Sequence, residues 1–195
     1  MHTIEVTLRE RYGASMMEAS SSTIVRPRLR LIGMLDRMDA AGCALRWLRQ
    51  STPMRATEPY AWLLVQDLLD SLDKETLDAS PRSLLIVAGL RLLSSIGYGL
   101  DLDACVVCRK TCPDDRSSFV DPVRGGLVCR GCGGAGRMIS GTLRLRVKNA
   151  VDGNGFVEDA DGSALLDLVE SALLVHASVT RGCGSARCAA DTRSA

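Results

Sequence analysis

The spacing of hydrophobic residues along the chain changes near residue 27. Before this point residues 2–8 alternate polar with apolar, with Ile4, Val6 and Leu8 on one face, which predicts a short half-buried strand. Residues 23–25 are predicted as a second strand. Beyond residue 27 the apolar positions recur at near-helical spacing, so the pattern predicts a mainly α chain that opens with short strands.

Two helices are predicted in the first part of the helical region. The first runs from about residue 27 to residue 49, and Gly42 is a weak point inside it. The second opens at residues 57–59, where Pro59 suits the first helical turn. The leucines that these segments carry at helical spacing are predicted to lie in a core.

A third helix is predicted from Ser80 and Pro81, and it closes on Gly97 and Gly99, which suit a left-handed cap. A last helix is predicted over about residues 163–178.

Residues 140–151 fit two structures. Leu143, Leu145 and Val147 alternate as in a strand, whereas Ser140 is a residue that caps helices. The sequence pattern leaves both possibilities open.

Four of the eight cysteines form two pairs, Cys105 with Cys108 and Cys129 with Cys132, separated by twenty residues. A two-residue spacer lets the backbone curl around a metal ion, so two such pairs predict one tetrahedral four-thiolate Zn²⁺ site. Residues 119–122 and 125–128 are predicted as the two strands of a hairpin that brings the pairs together.

Two disulfides, separate buried thiols, or a site that has lost its metal are the alternatives for the same cysteines. The chain opens without a basic and apolar leader, and its longest apolar stretch, residues 84–90, is too short to span a bilayer. We therefore predict a cytoplasmic protein without a membrane partner, in which thiols stay reduced. Four protein thiolates leave no open position for water, which favours a structural zinc over a catalytic one.

We call the turn between the two cysteines of a pair a knuckle. The first knuckle, at Cys105 and Cys108, has two irregular features. Arg109 follows Cys108 at a position that favours a left-handed backbone, where a side chain costs about 1–2 kcal/mol, whereas Gly133 follows the second pair. Cys112 is predicted as a spare loop thiol, since Pro113 and two aspartates follow it. Cys183 and Cys188 could join Cys112 in a second metal site, or all three are incidental thiols.

The charge of the chain is uneven although its net value is only +1. Aromatic residues make up 4% of the chain, which disfavours a surface that reads single-stranded bases by repeated stacking. Residues 122–151 contain no acidic side chain, which predicts a basic patch around the metal that either binds phosphate or neutralises the thiolates. The basic residues of this window are Arg124, Arg130, Arg137, Arg144, Arg146 and Lys148.

The residues around the cysteines resemble the RecO family of DNA repair proteins. A leucine-rich helix leads into residues 97–103 (GYGLDLD) and the first cysteine pair, and Phe119, Pro122 and residues 125–128 (GGLV) precede the second. This combination is more specific than the cysteine spacing, because zinc ribbons occur in many unrelated proteins. The resemblance extends from about residue 28 over most of the chain.

The resemblance implies a helical bundle with an inserted four-cysteine zinc ribbon and an amino-terminal OB barrel. Five strands and their connections need more than about 45 residues, and fewer than thirty precede the first predicted helix. The strands at the start are therefore predicted to be left from a partial OB fold. The predicted parts are an OB-fold remnant (1–26), the first part of the helical domain (27–99), the zinc-binding module (100–137), the last part of the helical domain (138–180) and a flexible tail (181–195).

The same resemblance implies a recombination mediator, not an enzyme. Members bind single- and double-stranded DNA, anneal complementary strands, and assist RecA loading with RecR and single-stranded DNA-binding protein, in association with the nucleoid. Applied to this chain, it assigns Zn²⁺ to Cys105, Cys108, Cys129 and Cys132 and DNA phosphate contacts to the basic residues named above.

Two other functions are open to the same residues. The first is a zinc-stapled module that binds only protein partners. The second is a metal-dependent hydrolase or nuclease, which the chain disfavours: it has no HExxH motif, and its two histidines, His2 and His176, lie far apart in sequence.

Overall fold

The computed structural model describes residues 1–10, 12–13, 16–52 and 58–178. Within these ranges the chain has six α-helices and six strands. The helices are α1 (Leu29–Ile32), α2 (Leu35–Ser51), α3 (Pro59–Leu72), α4 (Pro81–Ser95), α5 (Gly141–Val151) and α6 (Asp159–Ala177). The strands are β1 (Thr3–Arg9), β2 (Glu18–Arg26), β3 (Asp101–Cys105), β4 (Ser118–Asp121), β5 (Gly126–Val128) and β6 (Arg137–Ile139).

Helix α4 is the centre of the helical bundle and packs against α2, α3, α5 and α6. Its residues Ile86 and Leu93 have no exposed surface, and Trp47 of α2 and Val169 of α6 are equally buried. The closest approach is at Gly89, where an added Cβ would lie 2.6 Å from Val169 Cγ1 and 2.7 Å from Trp47 Cζ3. A glycine at this position lets α2 and α6 meet against α4.

The predicted start and end of α4 are confirmed, with one correction. Ser80 Oγ accepts a hydrogen bond from the backbone N–H of Ser83 at 3.1 Å, and Pro81 is the first helical residue. Gly97 has the left-handed backbone (φ +85°) expected after the helix. Gly99 does not; a Cβ there would lie 2.9 Å from Ser94 Oγ, so close packing accounts for that glycine.

The prediction of one helix over residues 27–49 is wrong, because the chain breaks into α1 and α2 at Gly33 and Met34. Met34 is extended (φ −128°, ψ 121°). Contacts with the end of α3 hold the break open: the Leu31 N–H donates to Asp73 Oδ1 at 2.9 Å, and Arg37 Nη1 donates to the Leu72 carbonyl at 2.9 Å. Gly42, the expected weak point, lies inside an unbroken α2.

Strands β1 and β2 form an antiparallel hairpin in which Ile4 pairs with Ile24. Two predicted strands are confirmed, but the half-buried face is wrong: Ile4 and Leu8 are each 54% exposed. The partial OB fold stays a prediction.

The buried side chain of Arg28 joins this hairpin to the helices, and Arg26 of β2 also forms an ion pair with Asp70 of α3. Its Nη1 donates to Thr3 Oγ1 at 2.9 Å, and its Nε donates to Asp70 Oδ1 of α3 at 2.8 Å. The Arg28 backbone N–H also donates to His2 Nδ1, at 2.9 Å.

Residues 101–139 form the cysteine module, built on a four-stranded sheet in the order β3-β5-β4-β6. The predicted hairpin is confirmed, with Phe119 opposite Val128 and Asp121 opposite Gly126. Strand β6 pairs with the other edge of β4 and leads directly into α5.

In the carboxyl-terminal part, the structure decides between strand and helix for residues 140–151 and moves the start of the last helix. Residues 141–151 are helical, and Ser140 Oγ caps α5 by accepting from the Leu143 N–H at 3.1 Å. Helix α6 begins at Asp159, one turn before the predicted start at residue 163, and acidic side chains in its first turn suit a helix N-terminus. None of the described helices has the length and apolarity that a membrane crossing requires.

Candidate metal centre

Two tight turns of the cysteine module bring its four paired thiols into one cluster. Strand β3 ends in Cys105, and the following turn presents Cys108. Strand β5 leads to Cys129, and a single 3₁₀ turn over Arg130–Cys132 presents the fourth thiol. The Sγ atoms of the four cysteines all lie within 4.8 Å of one another. The sequence prediction that these residues converge is confirmed.

The spacing of the sulfurs fits one tetrahedral ion and does not fit disulfides. Zn–S bonds of about 2.3 Å place two sulfurs of a tetrahedron about 3.8 Å apart. The Sγ atoms of Cys108 and Cys129 are 3.8 Å apart, whereas a disulfide requires about 2.05 Å. All four are free thiols. This donor set is compatible with zinc.

Backbone N–H groups direct positive charge at the most buried thiol. The Cys129 N–H donates to Cys105 Sγ at 3.4 Å. The N–H groups of Cys108 and Cys129 lower the pKa of Cys105 to about 6, so this sulfur ionises readily. Hydrogen bonds with the sulfurs of Cys129 and Cys108 raise the pKa of Cys132 to about 12. An ion that takes all four thiolates therefore displaces a proton from Cys132.

The backbone of both knuckles is as predicted. Arg109 has a left-handed conformation (φ +61°), and its N–H donates to the Cys105 carbonyl at 2.8 Å. Gly133 takes the same conformation (φ +83°) after the second turn, where no side chain opposes it. The first knuckle therefore carries a strain of about 1–2 kcal/mol that the second avoids.

The remaining cysteines of the carboxyl-terminal half lie outside the cluster or outside the described part of the chain. Cys112 Sγ lies 3.2 Å from Ser118 Oγ, and Cys112 is not among the four clustered thiols. Cys183 and Cys188 fall beyond residue 178, outside the described residues.

Arg144 does not lie in a surface patch, which corrects its assignment as a phosphate contact. Its side chain is fully buried. Nη2 donates to the carbonyls of Cys112 (3.1 Å) and Pro113, and Nη1 donates to Ser118 Oγ at 3.1 Å. The helical reading of residues 140–151 carried a signal for this burial, since Arg144 shares a helix face with the buried Val147.

Four other basic residues of the window are exposed to different degrees but pair with acidic side chains. Lys148 bonds to Asp103 Oδ1, and this contact raises the pKa of the lysine. All four acidic partners lie outside residues 122–151 in the sequence, so acidic side chains from other segments neutralise cations of this window. The other three pairs are Arg124 with Asp121 (3.5 Å), Arg137 with Asp167 (3.4 Å) and Arg146 with Glu158 (2.9 Å).

Arg130, the one member of the predicted patch not yet described, contacts an aromatic ring instead of an acidic side chain. Its guanidinium lies over the ring of Phe119, 5.8 Å from the centroid. Phosphate binding by Arg130 and by the four acid-paired residues stays a prediction.

His176 of α6 joins the helical bundle to the cysteine module. Its ring stacks on Tyr98 with the centroids 4.9 Å apart, and its Nε2 lies 2.8 Å from the Pro122 carbonyl oxygen. No local sequence pattern indicates these partners of His176.

Comparison with known proteins places this arrangement in a family. Residues 34–176 match the family model described as "Recombination protein O C terminal". The chain is 30% identical to the DNA repair protein RecO of Geobacter sulfurreducens over 144 residues, which cover 73% of this chain and 56% of that protein. It is 35% identical to the DNA repair protein RecO of Anaeromyxobacter sp. over 130 residues, covering 64% of this chain and 47% of that protein.

The chain spans about half the length of these curated relatives. The matched segment contains the whole cysteine module and helices α2 to α5, with most of α6. Because the family model covers well over half of the residues, the chain belongs to the RecO family.

Proposed function

We propose that this protein acts in DNA repair by homologous recombination as a mediator that binds single- and double-stranded DNA and anneals complementary strands. In this role it assists RecA loading together with RecR and single-stranded DNA-binding protein. The observation that carries the proposal is the family match over residues 34–176, with curated relatives named as DNA repair proteins.

Zinc has a structural role in this proposal. Cys105, Cys108, Cys129 and Cys132 hold one Zn²⁺, and four protein thiolates leave no position for a reacting water. The free energy of metal binding then stabilises the fold of the cysteine module.

The protein performs no reaction on the strands that it binds. Both histidines have structural contacts: His2 Nδ1 accepts from the Arg28 backbone N–H, and His176 lies against the Pro122 carbonyl. Four thiolates leave the metal no open position for a reacting water, and both histidines already have other contacts. These two features support a binding role over a catalytic one.

A protein-interaction module without DNA binding is the second candidate. It is favoured by the ion pairs of Arg124, Arg137, Arg146 and Lys148, which reduce the charge available to phosphates.

Strand annealing by the zinc-loaded chain tests the first candidate. Two complementary oligonucleotides labelled with a fluorescent donor and acceptor are coated with single-stranded DNA-binding protein and mixed with the chain. We expect faster annealing than without the chain, and oligonucleotide binding that weakens steeply as salt rises. A folded, zinc-loaded chain that binds no oligonucleotide even at low salt contradicts the mediator and leaves the interaction module.

A further inference from the structure

Three exposed basic side chains of the cysteine module lie beside its two knuckles. Arg109, Lys110 and Arg130 are exposed, and we call these three residues the knuckle face. Among the described residues, Lys110 and Arg130 have no acidic partner, and Arg109 has only Asp101, at 3.6 Å. Of these three, only Arg130 falls within residues 122–151, the segment without acidic residues that predicted the basic patch.

The thiol cluster holds the knuckle face together. Arg109 and Lys110 directly follow Cys108, and Arg130 directly follows Cys129, whose sulfur lies 3.8 Å from that of Cys108. The Cys105 N–H donates to the Lys110 carbonyl at 2.9 Å, so the first turn folds back over the cluster. Each strand of DNA carries one negative charge per about 3.4 Å, so neighbouring cations can contact successive phosphates of one strand.

Arg130 also offers a flat surface for stacking. Its guanidinium is held over the half-buried Phe119 ring, 5.8 Å from the centroid. Phe119 lies on β4 opposite Val128, which precedes Cys129. An arginine held over an aromatic ring can receive a nucleobase on its outer face, independent of base identity.

We infer that the knuckle face binds the phosphates of single-stranded DNA and that Arg130, supported by Phe119, stacks on one base. The inference rests on the proposed mediator function and specifies where the strand lies. The competing role of the same cations is to neutralise the net charge of about −2 on a zinc ion with four thiolates.

Binding of labelled oligo(dT) to the full zinc-loaded chain tests the site, with fluorescence anisotropy measured over a series of salt concentrations. The variant is Lys110→Glu with Arg130→Glu. The matched control is Arg49→Glu with Arg82→Glu, which makes the same change in net charge at exposed positions of α2 and α4. Zinc content is measured for every protein.

We expect at least about tenfold weaker binding for the knuckle-face variant, and a salt slope about 1.4 units shallower because two phosphate contacts are lost. The control should stay within about twofold of the unmodified chain. Arg130→Lys keeps the charge, so its salt slope should be unchanged while its affinity falls about fivefold through lost stacking.

The outcomes separate the inference from the function on which it rests. If the unmodified chain does not bind oligo(dT), the mediator function fails. If it binds and the knuckle-face variant binds equally well, or loses only zinc, the inference alone is overturned. If the Lys110→Glu, Arg130→Glu variant loses both zinc and DNA binding, the neutral variant Lys110→Gln with Arg130→Gln is measured against the same criteria.

Discussion

The Arg144 guanidinium donates a hydrogen bond to the carbonyl oxygen of Cys112, at 3.1 Å, across 32 residues of chain. Arg144 is fully buried on α5, and Cys112 begins the loop that connects the first knuckle to β4. A charged donor thus ties the cysteine module to the helical bundle.

Replacing Arg144 should destabilise the protein strongly. Arg144→Ala leaves the carbonyls of Cys112 and Pro113 without their donor, and we expect a loss of about 2–4 kcal/mol in the free energy of unfolding. Urea denaturation followed by circular dichroism measures the change. Arg116→Ala, at an exposed position two residues before Ser118, is the control and should change the stability by less than about 0.5 kcal/mol. Equal effects of the two substitutions would argue against the tie.

Two glycine substitutions in the bundle should have opposite effects. Gly89→Ala places a Cβ 2.6 Å from Val169 Cγ1, so α2, α4 and α6 must move apart, at a cost of about 1–3 kcal/mol. At Gly42 the nearest atom to an added Cβ is Met1 Cε at 3.8 Å, so Gly42→Ala should stabilise α2 by about 0.5–1 kcal/mol. Thermal unfolding of both variants gives the comparison, and a stabilised Gly89→Ala protein would contradict the packing.

Removing one of the four clustered thiols should lower both the metal content and the solubility of the protein. Cys129→Ser replaces a ligand of the proposed site, and we expect less than one zinc per chain by elemental analysis, with a larger fraction of insoluble protein. Cys112→Ser removes a thiol outside the cluster and should keep the full metal content. A Cys129→Ser protein that stays folded and soluble without metal would contradict the structural role of zinc.

Arg28 should control the order of the amino-terminal hairpin. Arg28→Met removes the hydrogen bonds to Thr3 Oγ1 and Asp70 Oδ1, and an isolated two-stranded hairpin is marginal in water. Hydrogen exchange followed by mass spectrometry should show protection falling in residues 3–9 and 18–26 while α4 stays protected. Arg30→Met, which removes only the exposed ion pair with Glu75, is the matched control and should leave the hairpin unchanged. Protection that persists in the Arg28 variant would mean that other contacts hold the hairpin.

Local rules accounted for the helix caps and for the thiol cluster. Ser80 was predicted to open α4, and its Oγ accepts from the N–H three residues ahead. Ser140 caps α5 in the same way, although the alternation of Leu143, Leu145 and Val147 left a strand equally open. The cysteine spacing determines the two knuckles in the same way, including the left-handed backbone at Arg109.

Features that depend on distant segments needed the tertiary structure. The break between α1 and α2 relies on Asp73 of the α3 cap, and the exposure of Ile4 and Leu8 depends on what packs against the hairpin. The sequence alone determined the start of α4, the β4–β5 hairpin and the four cysteines that cluster, because backbone conformation and knuckle geometry are set over three or four residues. Only the tertiary structure decided which cations are free, because Coulomb interactions act between residues that are close in space, whatever their distance along the chain.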